Sequence, residues 1–118
     1  MLARGNMTKN ALLKAVPFSV EQRLNRLGAN LRIARLRRNI TLQEAGRKIG
    51  VSRFVVSDAE KGKPSTAIAV YIALLWAYDL LGHIDNVAEP TMDEEGMALS
   101  LAHERQRAGS YEALDNDF

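Results

Sequence analysis

The sequence predicts an all-α protein. Apolar residues recur at helical spacing in the first third of the chain, and no stretch shows the strict alternation of a half-buried strand. Two Thr-x-x-Glu sequences, at Thr41 and Thr91, are typical of helix N-termini. We expect a five-helix domain over residues 19–89, between a flexible basic arm (1–18) and an acidic, partly helical extension (90–118).

The first two predicted helices have clear start and stop signals. Ser19 is a plausible N-cap, and Asn39 tolerates the left-handed conformation that ends many helices. Thr41 caps a short helix that runs to Ile49, where Gly50 allows a tight turn with positive φ. The apolar stripe of the first helix follows steps of four and three residues: Val20, Leu24, Leu27, Leu31 and Ala34.

The next two predicted helices differ in character. Ser52 caps a short helix that ends at about Glu60, before Lys61-Gly62-Lys63-Pro64. Ser65 caps a helix over residues 66–81 that is apolar on nearly all sides, so we expect a second copy of the chain to cover one side. The expected dimer contacts are Ile72, Leu75, Trp76 and Leu80. For Trp76, packing in the chain's own core is the alternative.

The acidic extension carries weaker signals. A short helical stretch is expected at about 84–88, and the capping box at Thr91 predicts a helix to about Ala108. Gly109 is its expected stop, and we expect the tail, residues 110–118, to be disordered when free.

The net charge of +2 conceals a strong asymmetry. Residues 1–63 hold fourteen basic and four acidic residues, a net charge of +10, whereas residues 64–118 hold two and ten, a net charge of −8. Such a division favours a polyanion-binding part joined to an acidic part. The alternative is a solvated surface with no partner.

Several classes of protein are excluded or disfavoured. The chain has no cysteine, which excludes disulfides, thiolate zinc sites and cysteine nucleophiles. Its longest apolar run, residues 67–78, is too short to span a bilayer. His83 and His103 have no catalytic spacing to an acid or a nucleophile, so we expect no catalytic residue, cofactor or metal, and no enzyme. No secretory signal is present, and we expect a cytoplasmic protein without a membrane partner.

The most informative segment is 41–62, two short predicted helices joined by a turn that contains glycine. The small residues Ala45, Gly46 and Ala59 allow two helices to cross closely. That geometry presents a second helix to a DNA major groove.

This segment resembles the helix-turn-helix of XRE (Cro/CI-type) regulators, and the resemblance extends over about residues 27–81. The matching positions are Arg35, Thr41, Ile49-Gly50-Val51-Ser52, Val56-Ser57 and Glu60-Lys61-Gly62. Leu42 departs from the pattern where a phosphate-binding Gln is common, and Ala45 departs where Leu is usual. The resemblance implies a Cro/CI-like fold with Arg35 and Glu60 as a structural ion pair.

The resemblance also assigns DNA contacts. It places Arg53, Phe54, Ser57 and Asp58 opposite base edges. Their chemistry agrees, because Arg53 suits guanine, Asp58 suits the cytosine amino group and Phe54 suits a thymine methyl. The alternatives are a core position for Phe54 and a surface charge or cap for Asp58. The expected contacts to the DNA backbone are Thr41, Ser52, Arg38, Arg47, Lys48, Lys61, Lys63, Ser65 and Thr66.

The apolar run after Gly62-Lys63-Pro64, with Tyr71 and Leu75-Trp76-Ala77, resembles the corresponding segment of HipB-type antitoxins. This resemblance implies a dimeric repressor that neutralises a HipA-like Ser/Thr kinase toxin and represses their shared operon. Because a two-fold dimer places its recognition helices about one DNA turn apart, we expect an inverted-repeat operator in double-stranded DNA. One alternative is a stand-alone XRE repressor of phage type. Another is an interaction module that does not bind DNA.

Overall fold

A computed structural model describes residues 11–116, with side chains up to residue 110. Within these residues all regular secondary structure is helical and there is no strand, as predicted. The α-helices are α1 (Phe18–Arg37), α2 (Leu42–Ile49), α3 (Arg53–Glu60), α4 (Ile68–Ala77) and α5 (Glu94–Asn116). Two 3-10 helices, Leu81–Asn86 and Pro90–Met92, lie between α4 and α5.

The chain divides into two compact units, the first ending at His83 and the second beginning at Ile84. The predicted domain boundary after residue 89 stays a prediction. In the first unit, α1 to α4 enclose a small core whose largest fully buried side chains are Leu31, Val56, Leu74 and Tyr78. In the second unit, α5 follows the 3-10 helix Pro90–Met92.

Close helix packing in the first unit depends on small residues. A Cβ atom on Gly28 of α1 would lie 2.5 Å from the Glu60 carbonyl oxygen and 2.7 Å from the Gly62 nitrogen. Those distances are far shorter than a normal van der Waals contact, so only glycine lets α1 meet the end of α3 at this spacing. Ala59 of α3 is completely buried nearby.

Two helix starts differ from the prediction. Helix α1 begins after Pro17, not Ser19, and the Pro17 carbonyl accepts the Val20 and Glu21 N–H groups at 3.0 and 2.9 Å. Helix α4 begins after Ala67 without a side-chain cap, and Ser65 lies in the turn in which Thr66 N–H donates to the Lys63 carbonyl at 3.1 Å. In both places a backbone turn replaces the predicted hydroxyl cap.

The predicted end of α4 at residue 81 is also wrong. The helix ends at Ala77, and Asp79 takes a φ of +61°. Leu80 N–H then donates to the Leu75 carbonyl at 2.7 Å, which satisfies an acceptor at the helix end. The short helical stretch predicted at about 84–88 is present as the 3-10 helix Leu81–Asn86, which begins earlier in the chain.

Helix α5 begins later and ends later than predicted. The Asp93 carboxylate, not the Thr91 hydroxyl, accepts the free N–H of the first turn, from Gly96 at 3.0 Å. The helix continues through Gly109 to Asn116, so the expected stop at Gly109 and the expected disorder up to residue 116 are wrong. One interior glycine disfavours a helix by only about 1 kcal/mol, which the surrounding helix formers outweigh.

The predicted arm is described only in part. Residues 11–14 form a helical turn, and Phe18 already belongs to α1. Residues 1–10 and the last two residues of the predicted tail lie outside the described residues.

Candidate nucleic-acid interface

Helices α2 and α3 form a two-helix motif with a fixed turn. Gly50 at the end of α2 has a φ of +80°, and Val51 N–H donates to the Gly46 carbonyl at 2.9 Å. A Cβ atom on Gly46 would lie 2.5 Å from the Val51 carbonyl oxygen, so the turn folds directly onto α2. Ala45 is completely buried beneath this crossing. The arrangement sets the direction of α3 rigidly.

Both α2 and α3 begin at the predicted caps. The Thr41 hydroxyl accepts the Glu44 N–H and donates to Glu44 Oε1, both at 3.1 Å. The Ser52 hydroxyl accepts the Val55 N–H at 3.4 Å. These hydrogen bonds order the first turns of α2 and α3, which are the turns that would face DNA.

The start of α3 presents a large aromatic side chain to solvent. Phe54 is 66% exposed, whereas Val56 and Ala59 of the same helix are buried. This exposure rejects a core position for Phe54. The Arg53 guanidinium carbon lies 4.9 Å from the centroid of the Phe54 ring, within the range of a cation–π interaction. The two side chains therefore form one exposed pair.

This pair lines an open groove of about 400 Å³ between α2 and α3. Gln43 and Arg47 of α2 form its other wall, and Val51 and Ser52 of the turn complete it. The groove thus holds two guanidinium groups, one amide and one aromatic ring. Such groups recognise base edges and phosphates in duplex DNA.

The other two candidate base contacts are less exposed. Ser57 and Asp58 are half-buried on α3. Asp58 Oδ2 lies 3.6 Å from Lys63 Nζ, so a predicted base contact and a predicted backbone contact are brought together. Both side chains are more than a third exposed, and such a pair contributes little to stability. Asp58 thus has the neighbour expected of a surface charge, which was its alternative role.

The candidate backbone contacts surround α3 unevenly. Arg38 donates to the Ala34 carbonyl at 2.9 Å and lies 5.8 Å from the centre of the Tyr78 ring, which ties it to the end of α1. Thr66 is half-buried. The remaining candidates with exposed side chains are Thr41, Arg47, Lys48, Ser52, Lys61, Lys63 and Ser65.

The ion pair predicted between Arg35 and Glu60 is present in the structure. Arg35 Nε donates to Glu60 Oε2 at 2.6 Å and Nη2 donates to Oε1 at 3.1 Å, while Nη1 donates to the Ile40 carbonyl at 2.9 Å. The side chains are 9% and 5% exposed. The hydrogen bond to Glu60 raises the pKa of Arg35. The pair joins α1 to the end of α3 and fixes the far end of the exposed helix.

Tyr78 lies close to this pair in the core. Its hydroxyl has no hydrogen-bond partner among the described residues. Burial is the main reason why the pKa of Tyr78 rises to about 12, and the nearby Glu60 carboxylate adds to the effect.

Helix α4 has an apolar face that no other described residue covers. Trp76 is 59% exposed, which rejects the core alternative for this residue. Ile68 is exposed too and Ile72 is half-buried, as is Leu80, which lies after the end of the helix. Leu75, by contrast, is 8% exposed and packs inside the first unit, so it supports this face from beneath and is largely unavailable to a partner.

A family of helix-turn-helix domains matches residues 26–84, which is half of the chain. The match begins inside α1 and includes all of α2, α3 and α4. The chain belongs to this helix-turn-helix family. It is a DNA-binding regulator of the XRE-like type, with α3 as the exposed second helix of the motif. No curated protein and no solved structure matches the chain significantly.

Neither a membrane-spanning helix nor a metal-binding cluster occurs among the described residues of this helix-turn-helix protein. No helix in the described part of the chain is both long and apolar enough to cross a membrane. No group of three or more metal-ligating side chains occurs among the residues that the structure describes.

Two residues of these surfaces were missed by the sequence analysis. Gln43 lines the groove beside Arg47. It lies one position after Leu42, which stands where the family pattern commonly has a phosphate-binding Gln. Its polarity and its place in the first turn of α2 were the available signals. Ile68 is exposed on α4, but a helix that is apolar on nearly all sides gives no signal of which side faces the core.

Proposed function

We propose that this helix-turn-helix protein is a sequence-specific transcriptional repressor that reads its operator with the start of α3. The observation that carries the proposal is the exposed Arg53–Phe54 pair on a helix fixed at both ends. An arginine fits the O6 and N7 atoms of guanine, and an aromatic ring fits a thymine methyl. An exposed phenylalanine held rigidly on a small domain is the kind of group that binds a partner.

The proposal includes a two-fold dimer that forms through α4. Ile68, Ile72 and Trp76 follow one another at steps of four residues and share one face of the helix. A symmetric pair would present two α3 helices about 34 Å apart, one turn of DNA, and would therefore bind an inverted repeat. Repression follows because the bound dimer occupies promoter DNA.

Footprinting on the DNA upstream of the chain's own gene tests the repressor function. We expect two protected patches, one DNA turn apart, over an inverted repeat. The affinity should fall steeply with salt, since lysine and arginine displace counterions from phosphates. Absence of protection, together with equal affinity for any duplex, would contradict sequence-specific repression.

Sedimentation of Trp76→Glu tests the dimer. A carboxylate on the apolar face of α4 should give a monomer whose operator affinity is much reduced. Leu99→Glu is the matched control, because Leu99 is an exposed apolar residue of α5 and should leave the dimer intact. A Trp76→Glu variant that remains dimeric would move the interface away from α4.

We further propose that the repressor is the antitoxin of a HipA-like Ser/Thr kinase. The HipB-like segment supports this, and so does the second unit, where exposed apolar side chains accompany an excess of acidic residues. Met92, Met97 and Leu101 are exposed, and Asp93, Glu94 and Glu95 lie among them. Such a mixture of apolar and charged residues is typical of a surface that binds another protein.

Co-expression with the product of the neighbouring gene tests this second role. We expect a kinase-like protein to co-purify with the full chain and to lose its toxicity, and we expect Met97→Glu to weaken that complex without changing operator binding. If the chain binds its operator with full affinity but has no kinase-like neighbour and suppresses no toxicity, the stand-alone repressor is the supported alternative. In either case we propose no enzymatic activity for the chain and a cytoplasmic location.

A further inference from the structure

A second groove lies in the first unit, where the segment before α1 approaches the turn after α3. It has a volume of about 480 Å³, and its lining includes Lys14, Glu21, Asn25, Lys61 and Lys63. Lys14 belongs to the segment that the sequence analysis treated as a flexible arm without a site. The structure brings it into one groove with two lysines that are 47 and 49 positions further along the chain.

The backbone on the α3 side of this groove is held in place by several contacts. Gly62 has a φ of +69° and packs against the backbone of α1 at Leu24, where a Cβ atom would not fit. Lys63 N–H donates to the Asp58 carbonyl at 3.1 Å, and the Lys63 carbonyl accepts the Tyr71 hydroxyl at 3.0 Å. Lys61 and Lys63 are therefore presented from a rigid turn, which lowers the entropy lost when they bind a ligand.

The backbone on the other side of the groove is ordered too. Ala15 N–H donates to the Leu12 carbonyl at 3.2 Å, which closes the helical turn of residues 11–14. Pro17, two residues after Ala15, is the N-cap of α1. Lys14 thus projects from a short structured segment between a helical turn and a helix.

The charges of the groove favour an anion. Three lysines face one lining carboxylate, that of Glu21. Outside the lining, Asp58 contacts Lys63 at 3.6 Å, and because both side chains are more than a third exposed, Asp58 neutralises Lys63 only weakly. The Glu60 carboxylate is paired with Arg35. The Asn25 amide adds a neutral donor.

We infer that this groove binds a phosphate group of the DNA backbone, with Lys14 as a contact beyond the helix-turn-helix motif. This inference rests on the proposed repressor function. The groove adjoins the C-terminal end of α3, which has eight residues and a length of about 12 Å. A phosphate held there would lie about one short helix away from the bases proposed for Arg53, so the spacing allows one duplex to contact both sites.

The test compares full-length Lys14→Ala with the matched charge-removal variant Arg105→Ala on α5. We expect Lys14→Ala to bind the operator and an unrelated duplex several-fold more weakly, by the same factor for both. Its plot of log affinity against log salt should be shallower by about 0.9, the value of one lost phosphate contact. Arg105→Ala should match the wild type, and Lys14→Arg should restore most of the affinity. Circular dichroism should show the same helicity for all variants.

Three outcomes would overturn the inference. If the wild type binds the operator and Lys14→Ala has the same affinity and salt slope, the groove fails while the proposed function stands. If the wild type binds no duplex at all, the proposed function fails first and the groove has no DNA to hold. If inorganic phosphate alone shifts the amide resonances of Lys14 and Asn25 but Lys14→Ala leaves DNA binding unchanged, the groove is a site for a free anion.

Discussion

The two units of this helix-turn-helix protein reach helical structure by different routes. In the first unit, buried side chains and close backbone approaches hold the four helices together, and the Arg35–Glu60 pair joins α1 to the end of α3. In the second, α5 is the longest helix described, yet its side chains from residue 97 to 110 are all exposed. The first unit is thus fixed by contacts distant in sequence, whereas α5 depends on local helix propensity or on a partner.

This difference matches the division of charge and of proposed roles. The basic unit needs a rigid α3, because discrimination between bases requires donors at fixed positions. The acidic unit exposes apolar residues on a helix without a core, which is compatible with a surface that becomes buried only in a complex. Substitutions that disturb packing should therefore have large effects in the first unit and small effects in α5.

Loss of the buried ion pair should have the largest effect on stability. Glu60→Ala leaves the Arg35 guanidinium buried and unpaired, and we expect the free energy of unfolding to fall by about 3–5 kcal/mol in urea titrations. Asp58→Ala is the matched control on the same helix. It breaks an exposed pair with Lys63, so the expected loss is below about 1 kcal/mol. Equal losses for both variants would show that the buried ion pair contributes no more to the free energy of unfolding than the exposed one.

Alkaline unfolding should report on Tyr78. Its folded-state pKa of about 12 lies above the ordinary value of about 10, so between these pH values the unfolded chain ionises and the folded chain does not. Stability is thus fully present below pH ~10 and should fall by about 3 kcal/mol as the pH rises to ~12.

Tyr78→Phe separates this effect from other alkaline titrations. The variant removes a buried hydroxyl that lacks a partner, so its stability at pH 7 should equal or exceed that of the wild type. Its alkaline loss should be smaller. Tyr71→Phe is the control, because it removes the hydrogen bond to the Lys63 carbonyl and should lower stability at pH 7 by about 1 kcal/mol. A steep alkaline loss that persists in Tyr78→Phe would assign the titration to other groups.

Two glycine-to-alanine substitutions, one in each unit, should change stability in opposite directions. Gly28→Ala introduces a Cβ atom 2.5–2.7 Å from backbone atoms of the α3 end, and we expect a loss of about 1–3 kcal/mol in thermal or urea unfolding. Gly109→Ala meets nothing within 4 Å and should raise the helicity of α5, by about 0.5–1 kcal/mol of helix stability. A destabilising Gly109→Ala would indicate that α5 packs closely against something.

Much of the first unit could be predicted, because its signals are local. Thr41 and Ser52 cap helices through contacts three residues away, and Asn39 and Gly50 adopt the positive φ angles expected of them. The Arg35–Glu60 pair joins residues far apart in sequence, and it was expected only from a family resemblance. The exposed position of Phe54 was expected because neighbouring valines already supplied the buried side of α3.

The wrong predictions concern competition between local signals and the rest of the chain. The Ser65 hydroxyl is a good cap, but the turn at Lys63 and the Tyr71 hydrogen bond delay α4 to Ile68. Trp76 and Leu75 are adjacent apolar residues on one helix, and only the packed core determines which of them is buried. Gly109 is an ordinary stop signal, yet α5 passes through it.

The most direct measurement of base reading by α3 compares Arg53→Ala with the wild type on the operator and on a duplex changed at the contacted guanine. We expect the variant to lose about 1–3 kcal/mol of affinity for the operator and to discriminate less between the two duplexes, with an unchanged salt slope. The matched variant Arg105→Ala should behave like the wild type. Unchanged affinity and unchanged discrimination for Arg53→Ala would contradict base reading by α3 and would favour a module that binds proteins instead.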